Sequence, residues 1–198
     1  MYRIRAADAA DTLVRHMDPA LLMTRPIWVH GNGFIQVALW DHIQLQVWDD
    51  SLELGQNPHT PIHNHRFDFE AHVLTGALDN TTYKVFPDFE SGTHWAYKVV
   101  GRKGENTDLV PAGNMLHCVR VDDFKTISKG YGYTFRYGDF HCDTGFGLTA
   151  VVQVKHLSRP WYTTRVMVPK FTQPDNVFDR YQRPPEELWP SVLKAVWG

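Results

Sequence analysis

Two kinds of apolar spacing divide the chain. Between residues 6 and 24, Leu13, Met17, Leu21 and Leu22 recur at helical intervals. Asp8 or Asp11 stands where a cap is expected, Pro19 divides the segment into two short helices, and Pro26 ends it. From residue 28 the pattern changes to short alternating or continuous apolar bursts, rich in β-branched and aromatic residues: FIQVALW, IQLQVWDD, FEAHVLTG, TTYKVF, THWAYKVV, DLVPAG, HCVRV, YTFRYG, LTAVVQVKHL and TTRVMV. Gly, Asn, Asp and Pro punctuate them, and no helical pattern intervenes. Such a series predicts an all-β sandwich or barrel, with a β core over about residues 28–168. The remainder, about 170–198, reads as a loop-like tail followed by a short helix from about Pro185, with Leu188, Val192 and Val196 on one side.

Composition narrows the partners. The 198 residues suit a single domain over 1–198. A net charge of -2 provides no electrostatic footprint for nucleic acid or an anionic membrane. No stretch approaches the ~20 apolar residues of a spanning helix. The N-terminal MYRIRAADAADTLVRHMD has no apolar run of the secretory kind, so a cytoplasmic protein is expected. Cys118 and Cys142 form no C-x-x-C pair or disulfide framework.

Histidine carries the candidate chemistry. Of eleven histidines, His59, His63, His65 and His72 lie within fourteen residues. On an extended strand, residues two apart share a face, so His63 and His65 can present both imidazoles to one ion. Glu70 has the wrong parity for the same strand. It joins them only if the chain turns after His65 and Glu70 opens a neighbouring strand that points back; Gly76 would end that strand. Asp68 is the alternative carboxylate if the turn is shorter. For a fourth ligand the candidates are His94, His117, His141 and His156. The setting of His117 favours it: Pro111-Ala112-Gly113 reads as a tight turn, and His117, Val119 and Val121 share one strand face.

With these residues in place the chain resembles the cupin superfamily. The first cupin motif, a Gly, H-x-H, Glu and Gly, corresponds here to Gly55, His63, His65, Glu70 and Gly76. The second, P-x-G followed by His, corresponds to Pro111, Gly113 and His117. Two spacings depart from the pattern: Gly55 to His63 is long, and Gly113 to His117 carries one extra residue. The resemblance implies a double-stranded β-helix, a jelly-roll barrel with helical additions at both ends. It also implies one divalent metal ion per chain on His63, His65, Glu70 and His117, and a homodimer.

Three histidines with one carboxylate suit Fe(II), Mn, Ni, Co or Zn. The resemblance puts Fe(II) and dioxygenase chemistry on a small organic substrate first. A non-redox isomerase, lyase or hydrolase comes second, and a small-ligand-binding cupin without turnover third. Thiol dioxygenases typically use three histidines without the glutamate, so Glu70 counts against that subgroup. Arg66, His72 and Tyr83 are the candidates for positioning a substrate, Arg66 because its planar fork suits a carboxylate or phosphate. His59 and Asn64 are expected at the cavity rim or in loops. There is no G-x-S-x-G elbow and no phosphate-loop or dinucleotide fingerprint.

Overall fold

The computed structural model describes residues 4–56, 61–100, 108–174 and 178–198. Helix α1 (Ala6–His16) and the single turn α2 (Pro19–Leu22) precede nine strands: β1 (Ile27–His30), β2 (Phe34–Trp40), β3 (Ile43–Asp49), β4 (Phe67–Pro87), β5 (His94–Val100), β6 (Asp108–Ser128), β7 (Gly132–Phe135), β8 (Phe140–Ser158) and β9 (Arg165–Pro169). Helix α3 (Pro185–Trp197) closes the chain. The helices and strands thus follow the sequence pattern closely, including the break at Pro19. The cap differs: Asp18, not Asp8 or Asp11, accepts from a helix-terminal amide, that of Ala20. Asp8 and Asp11 instead pair with Arg5 and Arg15 on the same helix.

All nine strands belong to one antiparallel sheet in the order β1-β2-β3-β8-β4-β6-β5-β9, with β7 on β4. The sheet curls until it meets itself. β8 pairs β4 on one side, and on the other His141 bridges His63, which in turn bridges Val166 of β9. β9 pairs β5, β5 pairs β6, and β6 pairs β4. The hydrogen bonding therefore runs in a closed ring, and the protein is an antiparallel β-barrel with short terminal helices.

Strand alternation gives the sheet two chemically distinct faces. On the outer face Val29, Val37, Leu45 and Val152 pack against Ala6, Ala10 and Leu13 of α1 and Leu188, Val192 and Val196 of α3. The small Ala residues let α1 lie close to the strands. On the inner face Phe34, Trp48, Phe69, Val73, Leu78, Phe135 and Val151 form a second cluster.

Two expected turns are absent. Gly76 does not end a strand; β4 continues through it to Pro87. The register shifts on both sides of Thr75, so the glycine lies at a bulge rather than a hairpin turn. Its φ is +75°, and an added Cβ would collide with Thr149 and the Leu148 carbonyl. Pro111-Ala112-Gly113 likewise lies within β6, where Trp95 faces Leu116 and Tyr97 faces Pro111. The intervening residues form an irregularity in a long strand. No helix among the described residues is long and apolar enough to cross a membrane.

Candidate metal centre

The His63-Asn64-His65 segment runs between β9 and the start of β8. His63 and His141 exchange backbone hydrogen bonds: His63 N donates to His141 O at 3.0 Å, and His141 N to His63 O at 2.9 Å. Asn64 locks the segment from its other face. Fully buried, its Oδ1 accepts from Arg165 N at 2.8 Å and its Nδ2 donates to the Tyr162 hydroxyl at 3.0 Å. The backbone adds Asn64 N to Arg165 O and Gly138 N to His65 O, each 3.0 Å. Asn64 is thus a structural clamp rather than a rim residue. With it held outward, alternation sends both flanking imidazoles inward, where they meet His141.

The three rings form a near-equilateral triangle. Centroids lie 4.8 Å apart for His63 and His65, 4.5 Å for His63 and His141, and 5.1 Å for His65 and His141. One ligand nitrogen from each lies within 4.8 Å of the other two. Aromatic neighbours hold the rings: Phe135 stacks on His141 at 4.2 Å, Phe67 on His65 at 4.8 Å, and Phe69 meets His65 edge-on at 5.1 Å. Behind His141, the half-buried Asp143 accepts from the Tyr133 hydroxyl at 2.8 Å and from Asn80. Its carboxylate is 3.9 Å from His141 Nε2, too far for a direct hydrogen bond.

The donor set fits a divalent metal ion. Burial pushes His63 and His141 down to about 4, and His65 well below its ordinary value, so all three imidazoles are neutral with a lone pair to offer. His63 Nδ1 lies 3.1 Å from the Pro61 carbonyl, which can only accept. That contact places its proton on Nδ1 and leaves Nε2 as the ligand atom. His141 Nδ1 is buried without a hydrogen-bond partner among the described residues. A buried imidazole nitrogen left unsatisfied costs stability, and a metal ion removes that cost.

Two of the four expected ligands fall elsewhere. Glu70 follows the alternation of β4, which begins at Phe67 without the extra turn its inward orientation required; Phe69, Ala71 and Val73 take the inner face. The Glu70 carboxylate instead accepts from Ala6 N, at the start of α1, at 3.1 Å. There it satisfies an orphan helix-terminal amide and meets the positive end of the helix dipole. His156 Nε2 is 3.7 Å away. Asp68 is also outside the cluster, accepting from Tyr137 N at 2.8 Å. His117 sits in the β5–β6 ribbon opposite His94 and Pro87.

The third histidine of the cluster is His141, one of the four candidates for the remaining ligand, and not His117. A signal for it was present. His141 follows Gly138 with two residues between, one fewer than separate Gly113 from His117. Of the positioning candidates, Arg66 borders the same cleft as His63 and His65, whereas His72 and Tyr83 do not line it. His72 faces away from the interior, and Tyr83 pairs with Val121 and Phe140 further along β4. Gly55 N donates to Gln182 Oε1 at 2.7 Å, tying it to the C-terminal segment. His59 lies outside the described residues.

A cleft of about 500 Å³ opens over His63 and His65. Its walls come mainly from the inner faces of β1, β2 and β3, from Phe67 and Lys155, and from Phe178 and Arg180 of the C-terminal segment.

No family model matches the chain, and no curated protein matches it either. Among solved structures it is similar to hydroquinone 1,2-dioxygenase from Sphingomonas sp. TTNP3 with 4-hydroxybenzoate bound, at 8% identity, covering 80% of each chain with a TM-score of 0.35. Hydroxypropylphosphonic acid epoxidase from S. wedmorenis matches at 12% identity over 71% of this chain and 58% of that one, with a TM-score of 0.36. Drosophila melanogaster CENP-C bound to CAL1 matches at 8% identity over 76% and 96%, with a TM-score of 0.33. Likenesses of this size transfer no residue role and no activity, so the functional reading rests on the site itself.

Proposed function

We propose that the protein is a metal-dependent enzyme of the cupin kind. In this reading His63, His65 and His141 hold one divalent ion at the floor of the cleft, and the chemistry is oxidation of a small organic molecule of the non-haem Fe(II) dioxygenase type. The observation that carries it is the convergence of three neutral imidazoles, His141 buried and His65 half-buried, on one point beside an open cleft. Three protein ligands leave coordination positions free, and as Fe(II) the ion would supply there both a substrate-binding site and electrons for reaction with dioxygen.

The protein's own contribution is positional. The backbone exchange between His63 and His141 and the Asn64 clamp set ligand spacing before any metal arrives. Phe67, Phe69 and Phe135 fix ring orientation and keep water from the inner side. Arg66 stands at the rim, where its guanidinium can orient an incoming group. With Glu70 at the helix terminus, the objection to thiol dioxygenation falls away, because a three-histidine set is what that cupin subgroup uses. A second reading is non-redox Lewis-acid chemistry. The same observation favours it, since three imidazoles with one open position suit catalytic zinc.

Elemental mass spectrometry of purified protein tests the metal reading. Wild type should carry near one equivalent, His63→Ala and His141→Ala none, and His117→Ala, Glu70→Ala and Asp68→Ala the wild-type amount. Metal lost in His117→Ala and kept in His141→Ala would overturn the ligand set. Oxygen uptake with Fe(II) but not Zn(II) separates the redox from the non-redox reading.

A further inference from the structure

The walls of the cleft carry a charge bias that the chain as a whole lacks. Among the described residues, Arg66, Lys155 and Arg180 border it, against a single carboxylate, Asp41. The whole chain is net negative at -2. Arg66 and Arg180 take part in none of the ion pairs among the described residues. Arg180 is partly buried, and burial pulls its guanidinium below its ordinary range, with the neighbouring Tyr181 the one group that offsets it. A partly desolvated cation without an internal counterion is a receptor for an anion. Lys155 Nζ lies 4.9 Å from the centre of the Phe67 ring, which places this cation beside the ring stacked on His65.

The neutral polar groups of the wall point the same way. A ladder of buried side chains crosses four strands. Trp28 Nε1 donates to Gln36 Oε1 at 3.1 Å, Gln36 Nε2 to Gln44 Oε1, and Gln44 Nε2 to Gln153 Oε1 at 2.6 Å. An indole N–H can only donate, so the first bond sets the orientation of each amide after it. Every Oε1 in the ladder is already accepting, and Gln36 and Gln44, which line the cleft, each retain a second N–H. His30, also on the wall, accepts from Asn32 N at Nδ1 and therefore carries its proton on Nε2. The surface is thus cationic at its rim and back and rich in donors along its side.

We propose that this cleft binds a small organic anion, with its acid group held by Arg180, Lys155 and Arg66 and its body lying along the Trp28–Gln36–Gln44 wall. The proposal deepens the reading above, resting on it for the reacting end of the molecule, which faces His63 and His65. A cleft of this volume holds one small metabolite and not a polymer. Carboxylate and phosphoryl head groups share the required chemistry, since both accept from a guanidinium fork.

Calorimetric titration of the purified full chain with benzoate, phenylphosphonate and the neutral isostere benzamide tests this. Metal content is measured in parallel on each protein. Benzoate or phenylphosphonate should bind and benzamide should bind at least about tenfold more weakly, the usual scale of a charge-assisted contact. Arg180→Gln and Arg66→Gln should each weaken the anion by about tenfold or more while leaving bound metal at the wild-type level. If Arg180→Gln does not fold, Arg66→Gln and Lys155→Gln carry the test. Preference for benzoate assigns a carboxylate head group, and preference for phenylphosphonate a phosphoryl one. Either supports the proposal. Equal binding of benzamide, or anion binding indifferent to all three substitutions, overturns it. Arginine-dependent anion binding in a protein that holds no metal would uphold the anion site while overturning the metal centre.

Discussion

The two faces of the β1–β2–β3–β8 sheet are built from the same strands and do opposite work. Outward, Val29, Val37, Leu45 and Val152 meet helices α1 and α3 in an aliphatic layer with no exposed surface to spare. Inward, one residue along each strand, Trp28, Gln36, Gln44 and Gln153 form a hydrogen-bonded row facing a cleft and a histidine cluster. Burial alone does not distinguish them, for Gln36, Gln44 and Gln153 are all at most 8% exposed. What differs is how polarity is satisfied. The layer between the outer face and the helices is mainly aliphatic, so it contributes stability chiefly through apolar area. The inner face keeps donors and neutral imidazoles that the protein only partly satisfies, and a partly satisfied interior is where a ligand belongs.

Substitutions on the two faces should therefore separate binding from stability. The largest contrast is His141→Ala, expected to abolish metal binding, against Leu188→Ala, expected to leave it intact; metal analysis after refolding checks both. On stability the order reverses. Leu188→Ala opens a cavity beneath α3 and should cost about 2–5 kcal/mol in urea denaturation. If His141→Ala costs as much in metal-free protein, the inner cluster is a core element and the two faces do not divide binding from stability.

Acid should expose the inner face selectively. Burial places His63 and His141 near 4, His30 near 3 and His65 well below 6.5 in the folded chain, whereas unfolded imidazoles titrate at 6.5. The unfolded state takes up protons first, so stability is complete above about pH 6.5 and declines as pH falls toward 4. Thermal denaturation of metal-free protein across that window should show the loss, and His63→Ala should flatten it. A flat profile in wild type would mean that these histidines are not held neutral by the fold.

The smallest effect is expected at Glu70. As a helix-terminal acceptor for Ala6 N it should contribute about 0.5–2 kcal/mol, and Glu70→Gln should recover part of what Glu70→Ala loses. Unchanged metal content in both variants would separate this residue from the inner cluster; loss of metal would return it there.

Local patterning was enough to reveal the all-β character, the helices at both ends, the break at Pro19 and the shared face of His63 and His65. Each depends on neighbours a few residues apart, where strand and helix periods act directly. The fate of Glu70 was also written locally, in the unbroken alternation from Phe67 to Val73. The expected turn obscured it. Gly76 and Pro111-Ala112-Gly113 misled for a related reason: glycine and proline permit both a turn and a bulge, and only the partner strand selects between them.

His141 is different in kind. Its meeting with His63 depends on one backbone bridge between segments far apart in the chain, itself held by Asn64 gripping β9. Hydrogen bonds of that range carry no periodic signature; the Gly138–His141 spacing is a local hint, but only closure of the sheet selects His141 over His117. The cationic cleft has the same origin. Arg66, Lys155 and Arg180 are unremarkable in sequence, and closure of the barrel and docking of the C-terminal segment bring them to one cleft.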